Sequence, residues 1–427
     1  MTPLLSSLCR NSCRRLATCT VLVGLTASSL AGGSASATTF TLGIGASDLV
    51  EIRTSQSLAP GLTLTRIVRG VQPTTVDQIP TTNRGPWRIN VLSIDPALAR
   101  GHVRATYGPD LARAEKVTDL VRLSGAVAGI NASFFTYTAN LRFPGEPRGL
   151  GLYRGAVLSE PAAAAAEVNL LVDAGTGKAT IGRLTWRGFM RNRRTAETLT
   201  LEYLNHPPVV PSVCARLTDQ TRYTTSGDVV HFTRHFGRST PTGYGVETVL
   251  DRYGCLVRTQ LTRGVVLAPG QKSIQATGRQ TNRLLEITRR GCLSRHVRLY
   301  NETGTRVIPS PNTYGVAGRY RLTKAGKIVA PSGTGTFFAR NPRTIAGRTA
   351  NGTIVFATID GRQPTSVGAT LAETARIAHS LGMVDAVNLD GGGSTTMSVR
   401  GQLVNQPSGT GERAVGDALV YIDNPLR

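Results

Sequence analysis

Lysine is nearly missing from this chain of 427 residues: there are five, against 44 arginines. Acids are scarce too, 26 in all, so the formal net charge is +23. A chain this basic invites a nucleic-acid reading, but only 5% of it is aromatic, which leaves few rings on which bases could stack. The six histidines are scattered and no GxSxG elbow exists, which removes a serine hydrolase triad. His231 and His235 lie four apart, yet the stretch between them is strand-like and no third ligand is in register, so no metal site is expected. No run beyond the N-terminus is apolar and long enough to span a bilayer, and no repeat period shows.

What is present begins with a leader. Arginines at 10, 14 and 15, an apolar stretch from Leu16 to Leu30 and Ala35-Ser36-Ala37 form a secretory signal over residues 1–37, cut after Ala37. The residues after Arg14-Arg15 do not follow a twin-arginine pattern, which favours the general secretory route. No cysteine follows the cleavage site to take a lipid, so the expected product is secreted, extracellular or wall-associated. Cys9, Cys13 and Cys19 leave with the leader, and Cys214, Cys255 and Cys292 enter a compartment that permits disulfides. One bridge with one cysteine left over is the simplest count, and the spacing does not say which two pair. Removing three arginines and no acids leaves +20. Half the weight of that charge goes to composition and half to adhesion to an anionic envelope polymer.

From Ile67 to about Val355, short apolar runs such as "RINVLSI", "VNLLVDA" and "GVETVLD" alternate with Gly, Pro, Asn and Thr clusters, which reads as strands. Two helices are expected. One covers Ala114 to Leu123. The other covers Val367 to Leu381, with Ser366 as its cap and Gly382 as its stop. The alanines at 162–166 read as a surface turn or loop. The fold class is α+β: a β-rich single domain with a mixed sheet and a few helices, preceded by a flexible lead over 38–59.

Three apolar strands end in a polar residue followed by small ones, at Asn131, Asp360 and Asp390, so the three could line one rim. The stretch "DGGGSTT" joins a base or nucleophile, Asp390, to the amides of Gly391, Gly392 and Gly393 and the hydroxyls of Ser394, Thr395 and Thr396. It reads alternatively as a glycine hairpin between "AVNL" and "TMSV". No lysine follows the glycines, so it is not a nucleotide phosphate loop. Arg343 and Arg413 supply guanidinium groups nearby in sequence.

Seven motifs in order, "GINASFF", "PRGLGLYRG", "NPRTIAG", "ATIDGR", "LGMVDAVNLDGGGSTTM", "LVNQPS" and "GERAVGDAL", resemble the phosphodiester glycosidase family. The resemblance covers residues 60–425 and is most specific over 335–420. It implies hydrolysis of a sugar C1–O–phosphate bond, with the phosphate left on the other product and no cofactor. The implied catalytic residues are Asp390, Asp360 and Arg343. The implied substrate-binding residues are Asn131, Thr344, Gly391, Gly392, Gly393, Ser394, Thr395, Asn405, Ser408 and Arg413. Ala132 and Ile345-Ala346 depart mildly from the family pattern. The implied partners are a sugar-phosphate or phosphoglycan substrate and an anionic cell-wall polymer, with no nucleic acid and no transmembrane segment. The chemistry is consistent with the motifs. Glycoside cleavage develops a sugar cation that a carboxylate must stabilise, while the leaving phosphate monoester, with a second pKa of about 6, departs with little need of a proton. Two other classes compete. A non-catalytic envelope-polysaccharide binder would not need both acids, and a metal-dependent phosphodiesterase would need clustered ligands.

Overall fold

The computed structural model describes residues 41–137, 141–208 and 227–424. The leader with its three cysteines and Cys214 lie outside them. The architecture is β-rich α+β, with five sheets and the helices α1 (Val117–Leu123), α2 (Gln280–Thr288) and α3 (Leu371–Ser380). One sheet is mixed, because Tyr203–Leu204 pairs in parallel with Val229–Thr233 and its other pairs are antiparallel.

The frame is an eight-stranded sheet in the order Glu51–Ala59, Leu62–Arg69, Trp87–Ile94, Ile354–Ile359, Arg343–Thr349, Met383–Asn388, Arg321–Lys324, Lys327–Ile328. Its central strand Ile354–Ile359 is buried along its whole length. Alternation then sends Val355, Ala357 and Ile359 to one face, where they meet Leu371, Ala375 and Ala378 of α3. Ile354 and Phe356 go to the other face, against Val103, Ile130, Leu170 and Val316 of the smaller sheets. One of those sheets runs Gln402–Leu403, Met397–Val399, Ala128–Asn131, Ala418–Ile422, His102–Thr106.

Three local expectations are revised. The lead over 38–59 is folded from residue 41: Leu42 and Ile44 are buried, and Glu51–Ala59 forms the outer strand of the large sheet. An edge strand buries little, so its sequence carries no apolar alternation. Helix α3 starts four residues later than Val367. Its cap is Thr370, whose Oγ1 accepts from the Glu373 N–H (3.1 Å) while the Glu373 carboxylate accepts from the Thr370 N–H (2.8 Å), a reciprocal capping box. Helix α2 was not anticipated, because only Leu284, Ile287 and Thr288 of its nine residues are buried.

Cys255 and Cys292 are bridged. The bond joins the strand Leu256–Arg263 of one sheet to Leu293–Tyr300 of another and closes a loop over a separation of 37 residues. Reduction, or the double change Cys255→Ser with Cys292→Ser, should lower stability by about 2–4 kcal/mol, read as equal losses in denaturant melts. Melts that coincide with and without reductant would show that the bridge carries no stability.

Candidate active site

Antiparallel pairing decides which chain ends meet. Arg343 pairs with Ile359, and Ile345 pairs with Asn388, so the start of the central strand Arg343–Thr349 lies beside the ends of both its neighbours. Asp360 and the Asp390 segment therefore leave the sheet at the same edge, although 30 positions separate them. After Asn388 the chain does not turn back as a hairpin. It crosses to the smaller sheet, where Met397 pairs with Ile130. The glycine segment is thus a bridge between two sheets.

Asn131 fastens that bridge. Its Nδ2 donates to the Asp390 carbonyl (2.7 Å), and its Oδ1 accepts from Thr344 Oγ1 (2.8 Å) and the Thr396 N–H (3.0 Å). The Thr344 hydroxyl lies 3.5 Å from that of Thr395, whose carbonyl accepts from Asn405 Nδ2. The same Asn405 Nδ2 donates to Asp360 Oδ1 (3.1 Å), while the Gln406 N–H donates to Asp360 Oδ2 (3.1 Å). Asn131, Thr344, Asp360, Asp390, Thr395 and Asn405 form one connected network. Asp360 is buried, and burial lifts its pKa to about 6 against the lowering effect of these donors and of Arg88. Ser366, expected as a helix cap, donates instead to the Asp360 carbonyl (2.8 Å).

The glycines work differently from an open nest of amides. Gly391 N–H donates to the Asp390 carboxylate (3.0 Å), and Gly392 N–H donates to the Pro342 carbonyl (2.9 Å). Lack of side chains matters because of what lies close: a Cβ on Gly391 would sit 2.8 Å from the Pro342 oxygen, and one on Gly393 only 2.3 Å from the Arg413 guanidinium. A Cβ on Gly392, whose φ is +59°, would be 3.4 Å from the guanidinium of Arg362. Two arginines therefore close on the bare segment. Arg413 stacks at 4.4 Å on the ring of Tyr137 and forms no ion pair or hydrogen bond among the described residues. Arg362 donates to Asn341 Oδ1 (2.7 Å) and has no carboxylate partner there. Its pKa is lowered, first by burial and then by Arg413. Two cations stand close together here with the single carboxylate of Asp390 beside them, which leaves the segment electropositive.

Asp390 sits beside them, half-buried. Burial raises its carboxyl to about pKa 6. The Ser394 hydroxyl, the Gly391 N–H and the charge of Arg413 pull it down, and Asp417 pushes it up. Asp417 is fully buried, yet it accepts from the Ser133 N–H (2.7 Å), Ser133 Oγ (2.8 Å) and Tyr153 Oη (2.9 Å).

Arg343 is engaged by the backbone. Only 3% exposed, it donates through Nε to the Ala369 carbonyl (3.0 Å) and through Nη2 to the carbonyls of Phe337 (2.6 Å) and Ala339 (2.9 Å). Burial brings its pKa down to about 10, so it remains a cation at neutral pH. It pins the 337–339 loop and the chain entering α3. Ser408 is half-buried and joins no hydrogen bond of this network, although the neighbouring Pro407 carbonyl accepts from Gln363 Nε2 (2.7 Å). The sequence reading passed over Arg362 and Asp417. Both stand inside motifs already singled out, "ATIDGR" and "GERAVGDAL", and a charged residue within such a motif was the available signal.

A family model described as phosphodiester glycosidase matches residues 244–422, a span that includes Arg343, Asp360, Arg362, Asp390 and Arg413. An uncharacterized protein of the SPbeta prophage of Bacillus subtilis is 40% identical over 80 residues, 19% of this chain and only 12% of that protein's length. A Burkholderia pseudomallei protein described as exported on inference has a solved structure 25% identical, with a TM-score of 0.75, covering 90% of this chain and 98% of the other. A hypothetical protein from Synechocystis shares the fold at 20% identity and a TM-score of 0.66, over 87% of this chain and 63% of its own.

Replacing Arg343 with Lys should cost roughly 2–3 kcal/mol of stability, because an ammonium cannot reach three carbonyls arranged for a planar fork. Turnover should then fall alike on substrates with charged and uncharged leaving groups. A loss confined to phosphodiesters, with the melting temperature unchanged, would instead place Arg343 on the phosphate.

Proposed function

We propose, from the match of residues 244–422 to the phosphodiester glycosidase family, that the protein hydrolyses the glycosidic bond of a sugar-1-phosphodiester and leaves the phosphate on the other product. The observation that carries this reading is the pair Arg362 and Arg413, neither in an ion pair among the described residues, closing on Gly392 and Gly393 beside Asp390. In this reading the two guanidinium groups hold the bridging phosphate and take up the charge it gains as the C1–O bond breaks. The Asp390 carboxylate faces the anomeric carbon and stabilises or traps the sugar cation. Asn131 and Thr344 set the position of the Asp390 backbone. Asp360, held by Asn405 and Gln406, serves water or a sugar hydroxyl. Asp417 keeps the Ser133 turn rigid and biases Asp390. The site of action is outside the cell, on phosphate-rich envelope glycans to which a strongly basic surface is drawn. The absence of a long apolar helix among the described residues and the disulfide are compatible with export.

The decisive experiment incubates purified protein with a panel of sugar-1-phosphodiesters, polymeric ones included, with and without chelator, and asks which fragment keeps the phosphate. The expected products are free sugar and a phosphomonoester of the aglycone, formed equally in chelator. Asp390→Asn should fold normally and lose nearly all turnover. Activity within tenfold of wild type, about 1.4 kcal/mol of barrier, would move the role to another residue. Binding without turnover by the wild type would favour the non-catalytic reading.

The pH dependence has a definite sign. Asp390 must be ionised to act and holds its proton up to about pH 6, so kcat/KM should fall below that pH and level off above it. Arg413 lowers the Asp390 pKa, so Arg413→Gln should move the acid limb to higher pH in addition to weakening phosphate binding. A limb that stays fixed or moves to lower pH assigns the titration to a different group.

A further inference from the structure

Beside the Asp390 site lies a further cation that neither the motifs nor the proposed reaction employs. Arg319 ends the strand Thr313–Arg319 and is exposed. Its guanidinium carbon stands 5.1 Å from the ring centre of Phe134 and 5.5 Å from that of Phe337, and the two rings are 6.2 Å apart at 38°. The Arg319 side chain forms no ion pair or hydrogen bond among the described residues. The nearest claim on its charge is Glu167, its cross-strand partner, but that carboxylate already accepts from Asn169 Nδ2 (2.7 Å) and the Ala162 N–H (3.0 Å).

The wall is tied directly to the site. Phe134 is two residues past Ala132, whose carbonyl receives the Asp390 N–H at 3.0 Å. Phe337 is fixed by its carbonyl bond from Arg343 and by the Arg343 guanidinium 5.3 Å from its ring. The strand carrying Arg319 passes so close to the Asp390 segment that a Cβ on Gly318 would sit 2.7 Å from the Asn388 carbonyl. A guanidinium held against ring faces keeps its N–H edge open to a bidentate oxyanion, and contact with the rings removes part of its hydration beforehand.

We infer that Arg319, set on Phe134 and Phe337, is a second anion subsite that receives a further negatively charged group of the same substrate, a phosphate or carboxylate outside the bond being cut. This rests on the proposed glycosidase reading and narrows it. The preferred substrate is a glycan with repeated charge rather than an isolated neutral sugar on one phosphate.

The test compares two glycosyl phosphodiesters of the same sugar, one with an alkyl aglycone and a single phosphate, the other a two-repeat oligomer with two phosphates. Wild-type protein should favour the oligomer in kcat/KM, and Arg319→Gln should cut that preference about tenfold, the worth of one charge-assisted contact. Arg319→Lys should keep part of it. A wild type indifferent to the second phosphate, or an Arg319→Gln variant whose preference is intact, overturns the subsite. Calorimetric binding of the same two compounds to Asp390→Asn reads the subsite without turnover. If neither compound is ever cleaved but the oligomer binds more tightly and loses that advantage on Arg319→Gln, the glycosidase reading fails and the subsite stands.

Discussion

One side-chain amide holds the candidate site together. Asn131 sits at the end of a strand in the smaller sheet, yet it donates to the Asp390 carbonyl and accepts from Thr344 of the large sheet and from the Thr396 N–H. It is fully buried, so each of these groups would be costly to leave unpaired. An ionised carboxylate has no donor for the Asp390 carbonyl, and glutamine would push the crossing segment away by one methylene. The position of Asp390 relative to both sheets depends on this joint.

The arginines around the joint divide the electrostatic work according to burial. Arg343 is deepest and donates to three backbone carbonyls, so its charge is met by dipoles and shapes a loop. Arg362 is exposed and Arg413 half-buried; neither forms an ion pair with a carboxylate among the described residues, and the charge of Arg413 lowers the Arg362 pKa. Asp390 and Asp417 respond in the opposite sense, since burial raises both, Asp417 adds repulsion at Asp390, and nearby donors restrain them. The proposed phosphate position at Gly392 and Gly393 lies where these two cations meet.

The glycines illustrate how one sequence feature can be read correctly as special and wrongly in kind. "DGGGSTT" suggested amides aimed at a ligand, or a hairpin. The structure uses two of those amides internally and makes the segment a crossover between sheets. What glycine contributes is space: Pro342 approaches Gly391, and Arg413 approaches Gly393, at distances no Cβ would permit. That space brings the guanidinium groups to the acid.

Local pattern alone determined much of this protein. The β-rich character, the strands at 87–94, 167–173 and 243–250, and the stop of α3 at Gly382 all follow from alternation and turn chemistry, which act within a few residues. The prominence of Asn131, Asp360 and Asp390 was likewise legible, because each ends an apolar strand in small residues. Only the tertiary structure decided what lay beyond that reach. The pairing Cys255–Cys292, the folded edge strand Glu51–Ala59, the binding of Arg343 to three carbonyls and the convergence of Arg362 with Arg413 all depend on neighbours distant in sequence. A guanidinium reads the same in sequence whether it meets carbonyls, a ring or open solvent, and long-range packing selects among them.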